Sequence, residues 1–144
     1  MTKSGNAVAI SSDIWDKKIV IGSALTSPLI PGRREHFQYR DMGLAAATGN
    51  LFGANVQIVG KELSEPTGWH YHICEVQFVF MLKGWLDLQF EDGTTRRLSA
   101  GESLYIQSGV RHNEIASSIE FELLEVQVPA GMKTVACNAP AGMS

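Results

Sequence analysis

The residues in this chain best suited to chemistry are its histidines. There are four in 144 residues, and two of them, His70 and His72, stand one residue apart in the stretch Trp69-His70-Tyr71-His72-Ile73-Cys74-Glu75-Val76-Gln77. In an extended strand alternate side chains leave the same face, and each residue advances about 3.3 Å. The two imidazoles would then root about 6.6 Å apart on one side, close enough for both to lean onto one ion. A helix would send i and i+2 to different faces, so the pair suits a metal only if its segment is a strand. The residues that follow support a strand: Val76, Phe78, Val79, Phe80 and Met81 form a β-prone apolar run that stops at Lys83-Gly84. A third histidine, His112, falls in another strand-like stretch, with Glu114 two residues on and therefore on the same face. Imidazole ligands suit zinc, copper, iron and nickel.

The elements that must position these groups read as short strands. Ile19-Val20-Ile21 is expected as a first strand, 36–40 as a second and 54–59 as a third. Further strands are expected over 76–82, 85–90, 95–98, 103–106, 111–115 and 119–128. His36 is expected as an exposed or hydrogen-bonded strand residue. In 85–90 the alternation places Leu86, Leu88 and Phe90 on one face. Glu91-Asp92-Gly93-Thr94 predicts a type I′ hairpin, because Asp-Gly tolerates positive φ. Gly43, Gly49 and Gly53 lack dinucleotide-binding spacing and serve as turn punctuation. No long amphipathic helix is found, and strands at short intervals with glycine between them predict an all-β sandwich or barrel. Residues 1–35 are expected as an N-terminal arm and first strand, with Ser12 or Asp13 expected to cap a helical turn over 14–18. The barrel is expected over 36–128, and residues 129–144, rich in Ala, Gly, Pro and Ser, as a loose tail.

Composition narrows the classes. One domain is expected from the length, large enough to fold without disulfide staples. The net charge of −3 gives no reason to expect a nucleic-acid partner, and no apolar run approaches membrane-spanning length. Acidic residues gather in the second half: residues 61–144 hold eleven, against four in 1–60. Two cysteines, Cys74 and Cys137, do not suggest a disulfide framework and fit a reducing cytoplasm. Serine-hydrolase and zinc-protease motifs are absent.

Two spaced motifs resemble those of the cupins, a family of small jelly-roll (double-stranded β-helix) barrels. The first runs from His70 to Gly84: two histidines one residue apart, then an acidic position, six residues and a glycine. Counting back from Gly84 puts Gln77 in the acidic position. The second begins at Gly101 and continues through Gln107, Ser108 and Gly109 to His112. Ser64, Gln107 and Ala116 stand where the family pattern has glycine, proline and asparagine. The resemblance implies metal ligands His70, His72, Gln77 and His112 around a divalent transition metal (Fe, Zn, Ni, Mn or Cu). Glu75 is a rival fourth ligand, since it shares a face with Gln77 if the strand is regular and a bulge would bring it in.

With glutamine at position 77 the site keeps about two units of the ion's positive charge, which predicts a small organic anion (carboxylate, enolate or phenolate) as ligand. The resemblance implies a dioxygenase- or isomerase-type enzyme. The alternatives are a binding or sensing barrel without turnover and a structural barrel with a vestigial pocket. Glu75 and Glu114 are the candidate catalytic carboxylates; Glu114 would serve as a base or hold a histidine proton. Trp69, Phe78, Trp85 and Tyr105 are either pocket wall or plain core, and Arg111 is a surface residue. A homodimer is expected, with the N-terminal arm covering a sheet edge.

Overall fold

A computed structural model describes residues 19–32 and 36–144. The capped turn at 14–18, most of the N-terminal arm and the Arg33-Arg34-Glu35 stretch lie outside these. The described chain is built from eleven strands and one helical turn: β1 (Leu29–Pro31), β2 (Phe37–Asp41), α1 (Leu44–Ala47), β3 (Gly53–Val59), β4 (His70–Ile73), β5 (Val76–Lys83), β6 (Trp85–Phe90), β7 (Thr95–Ser99), β8 (Ser103–Tyr105), β9 (His112–Ser117), β10 (Phe121–Val128) and β11 (Lys133–Ala136). They form two sheets, ordered β1-β2-β3-β10-β5-β8 and β11-β4-β9-β6-β7. All of their pairings are antiparallel. This is the expected jelly-roll architecture.

Alternation along each strand decides what lies inside. On β5, Gln77, Val79 and Met81 are buried between more exposed neighbours; on β10 the buried set is Phe121, Leu123 and Glu125. The apolar members of these series meet Val59, Leu86, Leu88 and Leu98 in one core cluster. Going the other way along the same strands, the inward positions become polar: Gln57 and Asn55 on β3, Glu125 and Gln127 on β10, Gln77 on β5. All five line one cavity with the histidines. One end of the barrel is thus a hydrophobic core and the other a polar chamber.

Four expectations need correcting. Ile19-Val20-Ile21 is not a strand: Ile19 and Ile21 are 88% and 82% exposed, and β propensity without a partner ladder does not make a strand. His36 lies in a turn just before β2, with φ of 70°, and is not a strand residue. The Asp-Gly hairpin is not type I′, because of its loop residues only Gly93 has positive φ (86°). Gly93 N–H donates to the Phe90 carbonyl at 3.0 Å and Phe90 N–H donates to the Thr94 carbonyl at 2.9 Å, a tight turn closed by a left-handed glycine. Finally, the segment after Pro129 is not a loose tail throughout. Its Lys-Thr-Val-Ala stretch forms β11, which pairs with β4 in the register Thr134↔His72 and Ala136↔His70. On its other side β4 meets β9 only at His70↔His112, so without β11 its backbone polar groups would lack a ladder.

The glycine that closes the first motif has a steric reason to be there. Gly84 turns the chain from β5 to β6 at φ of 75°, and a Cβ there would collide with the Glu120 carbonyl oxygen and the Ser118 hydroxyl. Gly84→Ala should cost about 1–3 kcal/mol from backbone strain alone, and more once the collision is included. Urea denaturation should show a lower midpoint; an unchanged midpoint would refute the steric account.

Candidate metal centre

β4 and β9 bring the histidines together. His70 and His72 leave the same face of β4, and His112 is the direct partner of His70 across the β4–β9 pairing. All three are buried. Their ring centroids lie 5.2 Å (His70–His72), 4.3 Å (His70–His112) and 5.0 Å (His72–His112) apart. One ring nitrogen from each lies within 4.8 Å of the others, so the group can hold a metal ion.

Hydrogen bonds determine which nitrogens are offered. His70 Nδ1 lies 2.7 Å from the Gly68 carbonyl oxygen, and His112 Nδ1 lies 3.0 Å from that of Val110. A carbonyl only accepts, so each Nδ1 carries the proton and each Nε2 keeps its lone pair if the ring is neutral. His72 Nδ1 lies 3.0 Å from the Thr134 hydroxyl on β11. This is how metal-bound imidazoles are held, by an outer partner that fixes tautomer and ring plane.

The electrostatics point the same way. Burial holds the His112 imidazole below its ordinary range, although Glu114 and the Val110 carbonyl oppose that shift. Glu114 Oε1 lies 3.7 Å from His70 Nε2, while its other oxygen accepts from the Thr67 hydroxyl. Burial pushes the Glu114 carboxyl up, but His70, His112 and Thr67 outweigh it and hold the group below the usual carboxylate range. His70 therefore has an oxygen acceptor beside each of its nitrogens. A cation held at Nε2 would meet that arrangement.

Gln77 is only 3% exposed. Its Nε2 donates to Glu125 Oε2 at 3.2 Å, and its Oε1 is buried without a hydrogen-bond partner. An orphaned buried acceptor in the histidines' cavity fits a cation. Glu75 does not share the site. The chain bends at Cys74-Glu75 between β4 and β5, which breaks the alternation, and Glu75 is exposed with its N–H donating to Val128.

The cavity has a volume of about 1110 Å³. Of the aromatic candidates only Trp69 lines it, joined by Phe37, Tyr39 and Phe121. Trp85 lies under the Arg97 guanidinium, 3.6 Å from its ring centroid, while Phe78 and Tyr105 are exposed. Arg111 pairs with Glu91, as a surface residue would. Among the described lining residues there is no lysine or arginine, but there are two carboxylates, Glu114 and Glu125. Glu125 and Thr134 were not singled out from the sequence. Glu125 had a signal, as the first charged residue at an inward position of the closing strand.

A cupin-domain family model matches residues 56–126. No curated protein matches the chain. Among solved structures, the polyketide cyclase RemF from Streptomyces resistomycificus aligns with a TM-score of 0.65 at 17% identity, covering 88% of each chain. KdgF from Halomonas sp. aligns at 0.63 and 15% identity, over 78% of this chain and 94% of that one. A crystal structure of FeII HppE aligns at 0.58 and 17% identity over 76% of this chain, which spans only 60% of that protein. At these identities the likeness is one of fold.

Thr134→Val keeps the shape of β11 but removes the oxygen beside His72. It should weaken zinc binding about 10-fold or more in a chelator competition, with little change in circular dichroism. Unaltered affinity would show that the hydroxyl does not orient the ring.

Proposed function

The chain belongs to the cupins, and from that premise we propose that it is a metal-dependent enzyme acting on a small organic molecule, by dioxygenase- or isomerase-type chemistry. The observation that carries this reading is the set of three buried imidazoles whose Nδ1 atoms are tied outward. His70, His72 and His112 would hold the ion, with Gln77 Oε1 as the fourth ligand. A divalent transition ion bound there supplies Lewis acidity toward a ligand oxygen.

The chain's own residues define what else enters. The aromatic wall of Phe37, Tyr39, Trp69 and Phe121, with Leu86, Leu88 and Leu98 beyond, suits an apolar or flat organic body. Glu114 and Glu125 bring negative charge, and no lysine or arginine offsets it among the described lining residues. A ligand that brings a single acidic oxygen to the ion, such as a phenol, enol or carboxylic acid, adds the least negative charge to this lining while still meeting the metal. A phosphate dianion does not, since it would have no side-chain cation to meet. The company of a polyketide cyclase and an FeII protein among folds of this kind supports an enzyme.

The test begins with elemental analysis, which should find about one transition metal per chain in the wild type and little in His72→Ala. The loaded protein is then titrated with benzoate, phenol, benzamide and phenyl phosphate, and assayed for oxygen uptake with phenols and enolisable acids. Benzoate and phenol should bind at least about 10-fold tighter than phenyl phosphate, and Gln77→Glu should weaken them selectively. Equal binding of benzamide and benzoate to both proteins would overturn the anionic-ligand reading. Ligand binding without turnover would leave a sensing barrel.

The proposal includes a homodimer in a reducing compartment such as the cytoplasm, where Cys74 and Cys137 remain free thiols. The supporting feature is the outer face of the six-stranded sheet, where Phe78 (37% exposed), Leu82 (46%) and Tyr105 (60%) adjoin Val76. Sedimentation at micromolar concentration should give a dimer for the wild type and a monomer for Phe78→Glu. A monomeric wild type would refute it.

A further inference from the structure

Gln77 and Glu125 occupy inward positions of adjacent strands, β5 and β10, whose pairing sets Glu125 opposite Val79 and Gln127 opposite Gln77. Both are buried and line the chamber that holds the three imidazoles. An amide can present either its oxygen or its nitrogen to that chamber, and only the oxygen has a lone pair for a cation. The carboxylate of Glu125 accepts from Gln77 Nε2 at 3.2 Å, which turns the nitrogen toward β10 and leaves Oε1 on the other side, buried and without a partner.

We infer that Glu125 is the positioning residue of this site: it locks the Gln77 amide with its oxygen toward the ion and supplies, one strand away, the negative charge that a carboxylate at position 77 would have supplied directly. The inference rests on the reading that the imidazoles hold a cation, and its new element, Glu125, lies outside both family motifs. It also accounts for glutamine at position 77. A glutamate there would face the Glu125 carboxylate in a buried wall, where like charges repel with little screening. The pair divides the work: one side chain carries the charge and the other presents a neutral oxygen.

The experiment is a mutant cycle read by Zn(II) affinity in chelator competition and by thermal denaturation of the metal-free protein. Glu125→Leu removes the acceptor and should weaken Zn(II) binding about 10- to 100-fold. Glu125→Gln, which keeps an acceptor but no charge, should give a smaller loss. Gln77→Glu alone should lower the metal-free melting temperature, because two carboxylates then share the wall. The exchange Gln77→Glu with Glu125→Gln should recover both stability and affinity, since the new amide at 125 donates to one carboxylate oxygen and frees the other.

Recovery in the exchange is the readout that a merely structural role would not produce. If Glu125→Leu fails to fold, Glu125→Gln and the exchange still decide. Wild-type affinity in Glu125→Gln together with no recovery in the exchange would overturn the inference while leaving the three-histidine site standing. Failure of the wild type itself to bind Zn(II) or Co(II) would overturn both.

Discussion

The site depends on the direction in which three imidazole rings are pinned. A histidine has two nitrogens, and a cluster of three can offer an ion three lone pairs only if each ring gives its other nitrogen something to do. Two backbone carbonyls and one hydroxyl serve that purpose here. The carbonyls of Gly68 and Val110 each belong to a residue two positions before the histidine they hold, so those rings are oriented by their own strand entrances. The third is held from a distant segment, by Thr134. The arrangement is therefore one that a single multivalent cation stabilises.

The barrel supports this through a gradient along its strands. Inward positions of β3, β5 and β10 run from Val59, Met81 and Phe121 at one end to Asn55, Gln77 and Gln127 at the other. The apolar end supplies the burial that holds the sheets together, and the polar end is shaped by what it faces. One set of strands both builds the core and aims the chamber, so sheet register places the three histidines, while the carbonyls of Gly68 and Val110 just before β4 and β9 orient two of the rings.

Much of this was legible in the sequence because period-two patterns are local. His70 and His72 share a face wherever the segment is extended, and the spacing to Gly84 and from Gly101 to His112 carried the resemblance. Gln77 was placed inside by the same count, whereas Glu75 looked equivalent only until the bend at Cys74-Glu75 broke the alternation. What was not legible was pairing at long range. Ile19-Val20-Ile21 has strand-forming residues but no strand partner among the described residues, while Lys133–Ala136, in a stretch that composition marks as loose, finds the open edge of β4. Propensity states what a segment tolerates; a vacant ladder determines whether it is used. Glu125 escaped notice for a related reason: its partner is 48 positions away, and no local pattern joins them.

The position of β11 has a mechanical consequence. It is a short edge strand with a single neighbour, the kind of element that opens before the rest of a fold. Yet it carries the oxygen that steadies His72, and it runs beside His70. Docking of this stave and steadiness of the ring are then one equilibrium seen from two sides. Whatever steadies the imidazole therefore also favours the docked edge.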